Sequence, residues 1–152
     1  MILVKQVGVY VNILNCRLKK YLSEVFKKKG VNLTAEQYLV MDTLWNEGTL
    51  TQQAIAFIIQ KDKNSVTQFI DNLEKKGLVM RSVAKEDRRV NNIMVTPEGM
   101  ALKDSTKQLA IDTMEKALKG IPESDVLTFV AVLKKVCANI SDFGKGAEEL
   151  AL

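Results

Sequence analysis

Histidine is absent from this 152-residue chain, and cysteine and proline occur only twice each. Without an imidazole the chain lacks the commonest general base and the commonest metal ligand. It also lacks paired carboxylates, a nucleophile–base set and a phosphate-cradling glycine loop. No catalytic site, metal or cofactor is therefore expected, and the chain is not read as an enzyme. Cys16 and Cys137 are too few and too far apart for a disulfide framework, so both are expected as thiols. Long hydrophobic runs are missing too: Lys5, Gln6 and Asn12 interrupt the apolar start MILVKQVGVYVNIL, which has neither a basic leader nor a small-residue cleavage site. No export or membrane segment is expected, and a cytoplasmic location follows.

What is present is the composition of an ordered globular protein, 47% hydrophobic and 26% charged, which excludes a disordered tail. The length suits one domain, taken as residues 1–152. A net charge of +4 permits a polyanionic partner without requiring one.

Apolar residues at Val7, Val11, Leu14, Leu18, Leu22 and Val25 keep helical spacing from about 5 to 29, and Lys27, Lys28, Lys29 and Gly30 close the segment. Cations there suit the negative end of the helix dipole. Leu33-Thr34-Ala35-Glu36-Gln37 reads as a staple and capping box, starting a second helix near Ala35 that ends before Gly48. A third helix, capped by Thr49 or Thr51, carries Ile55, Ile58 and Ile59 and ends by about Gln60. Asp62 then caps a fourth, spanning 62–76, whose Val66, Phe69, Ile70 and Leu73 share one face and whose polar residues share the other. Two short helices joined by a tight turn form a helix-turn-helix pattern.

The period then shifts from helical to two. LVMRSVA (78–84) and NIMV (92–95) flank the charged KEDRR, which predicts a β-hairpin with a polar tip, the wing, over 84–91. Thr96-Pro97 starts a further helix running to about Lys119. A last helix is predicted from about Pro122 to Phe143, leaving the tail GKGAEELAL unassigned. No internal repeat is present.

Taken in order, LTAEQYLVMDTLW, LTQQAIAFIIQKDKNSVTQFIDNLEKKGLVMR and DRRVNNIMVTPEG resemble a MarR-type winged helix-turn-helix regulator along most of the chain. The wing pattern stands as Asp87-Arg88-Arg89, then Ile93-Met94-Val95-Thr96-Pro97-Glu98-Gly99, with Val95 where leucine is usual. The resemblance implies a mainly α fold with a small β-hairpin: a winged helix-turn-helix lobe over 33–99 and a helical dimerisation region over 1–30 and 100–145. It implies a homodimeric DNA-binding transcriptional regulator, expected to be a repressor, on a palindromic duplex site.

An α-helix fits the major groove. Lys63, Asn64, Ser65, Thr67 and Gln68, on the polar side of the fourth helix, are the candidates for base contact. At the wing, Arg88 and Arg89 are assigned to the minor groove, with Asp87 orienting Arg89 by analogy with the family and Lys85 beside them. Thr51, Gln52, Gln53 and Arg81 are expected on DNA phosphate. Ligands of the family are small and often aromatic or phenolic, held between the dimerisation helices and the lobe; Tyr10, Tyr21, Tyr38, Met41 and Trp45 are the candidate lining. Two alternatives stand beside this reading. One is a winged-helix protein-interaction module without DNA. The other is thiol-based redox sensing through Cys16, which has Arg17, Lys19 and Lys20 nearby but sits about one and a half turns later than the sensing cysteine of such relatives.

Overall fold

The computed structural model describes residues 2–83 and 90–141. Their elements are α1 (Ile2–Lys28), α2 (Ala35–Glu47), β1 (Leu50–Thr51), α3 (Gln52–Ile59), α4 (Lys63–Lys75), β2 (Val79–Val83), β3 (Asn91–Val95), α5 (Pro97–Ala101), α6 (Lys103–Ala117) and α7 (Glu123–Asn139). The chain divides into two compact units, Met1–Thr113 and Met114–Leu152.

The first unit is built around buried residues from nearly every element: Phe26, Val40, Met41, Leu44, Ile55, Val66, Ile70, Leu73, Val79 and Ile93. Each such aliphatic or aromatic side chain contributes about 1.5–3 kcal/mol when taken fully out of water. That core also draws on helices outside residues 33–99. Phe26, fully buried, carries the C-terminal end of α1 into the lobe core, and Leu22, Leu102 and Leu109 pack against that core. The amide of Ala35 donates to Ser23 Oγ at 2.9 Å, and Lys19 pairs with Glu36 at 3.1 Å, so α1 is tied to the start of α2.

The predicted capping box of α2 is complete. Gln37 N donates to Thr34 Oγ1 at 3.1 Å, and Thr34 N donates to Gln37 Oε1 at 3.2 Å. Two of the four orphan amides at that helix start are thereby satisfied.

The sheet has three strands in the order β1-β3-β2, all antiparallel, with Leu50 opposite Ile93 and Arg81 opposite Ile93 on the other side. β1 is the strand that the period-two reading does not contain. Two residues are too short to alternate, and Thr51 doubles as the cap of α3, its Oγ1 accepting from Ala54 N at 3.1 Å. Ile93 is buried, as the hairpin pattern requires, while Met80 and Met94 pair across the strands on the exposed face.

The single helix expected from Pro97 to about Lys119 is two helices with a break at Leu102. The Gly99 carbonyl accepts from Trp45 Nε1 at 3.1 Å, and Leu102 N reaches back to the same oxygen at 3.3 Å. With that acceptor turned to the indole and a tight three-residue closure, the α-helical ladder is interrupted and restarts at Lys103.

Thr-Pro-Glu-Gly has a tertiary role beyond starting a helix. Thr96 Oγ1 accepts from Gly99 N at 3.1 Å and donates to the Gly77 carbonyl at 2.6 Å, and Thr96 N donates to the Leu78 carbonyl at 3.1 Å. Gly77 ends α4 in the left-handed region at φ 75°. Gly99 lies so close to this turn that a Cβ on it would meet the Leu78 carbonyl oxygen at 2.3 Å and Val95 Cγ1 at 2.7 Å. Backbone cannot yield as a side-chain tip can. Gly99→Ala is therefore expected to cost about 1–3 kcal/mol through overpacking, and Thr96→Ala about 1 kcal/mol through the lost cap. Both costs are read as a lowered midpoint in thermal unfolding; a Gly99→Ala protein melting with the parent would contradict the close approach.

Candidate nucleic-acid interface

α3 and α4 are joined by Gln60, Lys61 and Asp62. Gln60 takes the left-handed conformation at φ 56° and ψ 48°, and its Nε2 donates to the Phe57 carbonyl at 2.6 Å. A non-glycine residue there costs roughly 1–2 kcal/mol, which this side-chain bond helps offset. Asp62 then caps α4 twice over, Oδ1 accepting from Ser65 N and Oδ2 from Ser65 Oγ, each at 2.8 Å. The Ser65 amide, followed by its hydroxyl, holds the Asp62 carboxyl below its ordinary range. Its capping contribution is thus present above the ordinary carboxylate range and lost as pH falls through the depressed value.

Val66, Ile70 and Leu73 are wholly buried and fix the inner face of α4. The rotation of the helix follows: Lys63, Asn64 and Gln68 are exposed, and Ser65 and Thr67 are half-buried. Asn64 and Gln68 stand one turn apart on the outward side. The Ser65 hydroxyl proton is committed to Asp62 and the Thr67 hydroxyl proton to the Lys63 carbonyl at 2.9 Å, so both present acceptor lone pairs rather than donors.

An open cleft of about 760 Å³ runs beside this face, lined by Thr51, Gln52, Gln53, Lys63, Thr67, Val90 and Asn91. Five residues singled out in two separate stretches of sequence thus share one concavity. Gln68 lies on the other flank of α4, in a cleft of about 340 Å³ with Lys19, Lys20 and Asn72. Lys85, Asp87, Arg88 and Arg89 lie outside the described residues. Asn91, which the sequence reading passed over, belongs to the cleft; its signal was the Asn91-Asn92 doublet at the foot of the return strand.

Arg81, expected on phosphate, pairs its guanidinium with Asp71 at 2.6 Å and Glu74 at 3.0 Å. Those carboxylates would otherwise put two negative charges on the helix assigned to DNA. Arg81 offsets one of the two and ties β2 to α4. A second tether was equally hidden: Lys76 Nζ donates to the Asn32 carbonyl at 2.9 Å and to Gln37 Oε1 at 2.7 Å, joining the end of α4 to the start of α2. Burial lowers the pKa of this lysine.

The MarR family model matches residues 33–90, the span that carries these elements. The HTH-type transcriptional regulator PrsX of Escherichia coli is 30% identical over 131 residues, covering 84% of this chain and 77% of PrsX. The chain belongs to the MarR family. Among solved structures, a cysteine-to-serine mutant of E. coli MarR complexed with operator DNA superposes with a TM-score of 0.79 at 24% identity, over 88% of this chain and 94% of that one. CouR from Rhodococcus jostii RHA1 bound to p-coumaroyl-CoA gives 0.73 at 21% identity, over 86% and 90%. As a MarR-family member the protein is a DNA-binding transcriptional regulator with a winged helix-turn-helix fold.

For a regulator of this family the five candidate ligand-lining residues are not one group. Met41 and Trp45 are buried in the core, and Tyr38 packs edge-to-face against Phe26 and Trp45 with ring centroids 5.4 and 6.3 Å apart. Tyr10 and Tyr21 are exposed on α1. The clefts beside α1 are lined by other residues, chiefly Lys19, Lys20, Ser23, Lys27 and Thr34. The reason is spacing: apolar aromatics at helical offsets serve the nearest core first. Cys16 and Cys137 are exposed free thiols.

Burial, then the neighbouring Asp42 charge, pushes the Tyr38 phenol up to about 12. A raised tyrosine pKa contributes stability that is complete below the ordinary value near 10 and is lost as pH rises towards 12. An alkaline ultraviolet titration should contain a phenolate component near 12 that Tyr38→Phe removes; a Tyr38→Phe curve superposing on the parent would contradict this burial. Arg81→Ala should leave Asp71 and Glu74 uncompensated and weaken duplex binding most at low salt. Equal weakening at all salt concentrations would contradict the charge-cancelling role.

Proposed function

We propose that the protein acts as a homodimer on a palindromic operator, with α4 in the major groove and the hairpin tip in the minor groove, and that a small aromatic or phenolic ligand releases it. The observation that carries this reading is the convergence of Thr51, Gln52, Gln53, Lys63 and Thr67 on one cleft beside a helix whose opposite face is wholly buried. Such a surface offers polar groups to a groove and has no apolar contact to give up. Lys63, Asn64, Ser65, Thr67 and Gln68 supply the major-groove contacts, and Thr51 and Gln53 contact phosphate. Arg88 and Arg89 are the minor-groove residues, with Asp87 orienting Arg89 and Lys85 adding charge.

Dimerisation is supported by apolar helix surface that a single chain leaves uncovered. On α1, Ile2, Leu3, Val4, Val7, Tyr10 and Leu14 are exposed, and on α7 so are Leu127, Phe129, Val132 and Val136. Exposed stripes of that length mark an interface. Two lobes related by a two-fold axis read half-sites about one helical turn apart. Ligand release is supported by the likeness to CouR, crystallised with a phenolic acyl thioester; such a ligand acts by binding one spacing of the two lobes better than the other. Repression in the cytoplasm is the outcome that fits both.

The test is binding of duplexes selected from a random pool, across a salt series. Log affinity should fall linearly with log salt, and Arg89→Ala should weaken the selected operator by about 1–3 kcal/mol, roughly 5- to 150-fold, with its melting midpoint unchanged. Affinity indifferent to salt would favour a protein-interaction module, and undiminished binding by Arg89→Ala would remove the wing assignment.

A further inference from the structure

The geometry points to Gln52 as a base-reading residue rather than a phosphate ligand, acting with Thr67 as one unit that selects an A·T pair in each half-site; this rests on the operator-binding reading above. Gln52 is the first residue of α3 and Thr67 lies in the second turn of α4, fifteen positions apart. Gln52 Nε2 donates to Thr67 Oγ1, and Thr67 Oγ1 donates to the Lys63 carbonyl at 2.9 Å.

The chain of bonds fixes which way the amide points. A threonine hydroxyl has one proton, and the carbonyl of Lys63, a pure acceptor, takes it. Towards Gln52 the hydroxyl can then only accept, so the nitrogen end of the amide faces Thr67. The usual ambiguity between the two ends of a glutamine is removed by the partner. One N–H is spent on this bond. The second N–H and Oε1 remain, and among the described residues nothing else engages them.

What remains is one donor and one acceptor on a planar group held in place. Both residues are half-buried in the wall of the 760 Å³ cleft, whereas the neighbouring Gln53 is exposed. A phosphate offers only acceptors, so it would satisfy the N–H and leave Oε1 facing an anion. Adenine offers both in its major-groove edge, N6–H to give and N7 to accept. Thr67 has its hydroxyl proton occupied, and its remaining apolar group is the γ-methyl, suited to the C5-methyl of thymine. Lys63, on the same cleft, carries only donors, whereas Gln52 keeps one donor and one acceptor. Because the amide is already oriented, little ordering cost is left for binding.

The experiment is selection from a random duplex pool with the full chain and three variants, Gln52→Ala, Gln52→Glu and Thr67→Val, each checked for folding by circular dichroism. The parent should enrich a palindrome with A·T at one symmetric position. Gln52→Ala should relax that position alone, losing discrimination of between about 5- and 150-fold, the span of a bidentate base contact. Thr67→Val, which keeps a methyl but gives the amide no acceptor, should relax the same position. Gln52→Glu should turn the preference there towards cytosine, whose N4 amino group donates to a carboxylate, and it carries the test if Gln52→Ala fails to fold. A uniform loss of affinity with every positional preference intact would make Gln52 a phosphate ligand and overturn the proposal. Enrichment of no sequence by the parent would overturn the operator reading and this proposal together.

Discussion

The placement of the DNA-facing helix depends on the turn where α4 ends. Thr96 bonds both carbonyls of that turn, those of Gly77 and Leu78, while capping α5, and the absence of a side chain at Gly99 lets α5 close on it. Trp45 Nε1 then reaches the Gly99 carbonyl from α2. Four elements (α2, α4, β3 and α5) thus meet through directional bonds, and the two at Gly99 are buried, where a bond resists displacement more than it would in water. If this turn shifted, the helix would present its polar face at another angle to the cleft.

Hydrophobic burial sets the remaining degree of freedom. Val66, Ile70 and Leu73 anchor α4 by one stripe, so the outward residues are chosen by subtraction. The same helix carries Asp71 and Glu74, an awkward charge for a polyanion-binding surface. The Arg81 guanidinium, from the adjoining strand, offsets half of that charge. The surface is therefore shaped by packing and then made electrostatically permissible by a neighbour, two separate contributions that join only in the folded lobe.

This division explains what could be read in the chain beforehand. The caps at Thr34, Thr51, Asp62 and Thr96 were legible because each involves residues three apart, and the buried faces of α2 and α4 were legible because their period is local. The pairings of Lys76 with Asn32 and Gln37 and of Trp45 with Gly99 span 39 to 54 positions and leave no periodic trace. The break at Leu102 was hidden for the same reason, since an indole from a distant helix takes the carbonyl beside it. Tyr38, Met41 and Trp45 were ambiguous for another reason: aromatic and sulfur-bearing side chains suit a ligand pocket and a core equally, and here Met41 and Trp45 lie in the core with Tyr38 packed against it. Asn64 and Gln68 were expected on the outer face by spacing alone; both are exposed, and Gln68 also lines a second cleft with Lys19, Lys20 and Asn72.

The central claim is that duplex DNA lies against the outward face of α4 and the adjoining cleft. Side-chain amide resonances report on it directly, because Gln52 lines the cleft and Asn64 and Gln68 are exposed on α4, whereas Asn139 lies on α7. On titrating the isotopically labelled protein with the duplex it selects, the amide signals of Gln52, Asn64 and Gln68 should shift while that of Asn139 stays. Shifts confined to α7, with those three amides unmoved at saturation, would contradict the account.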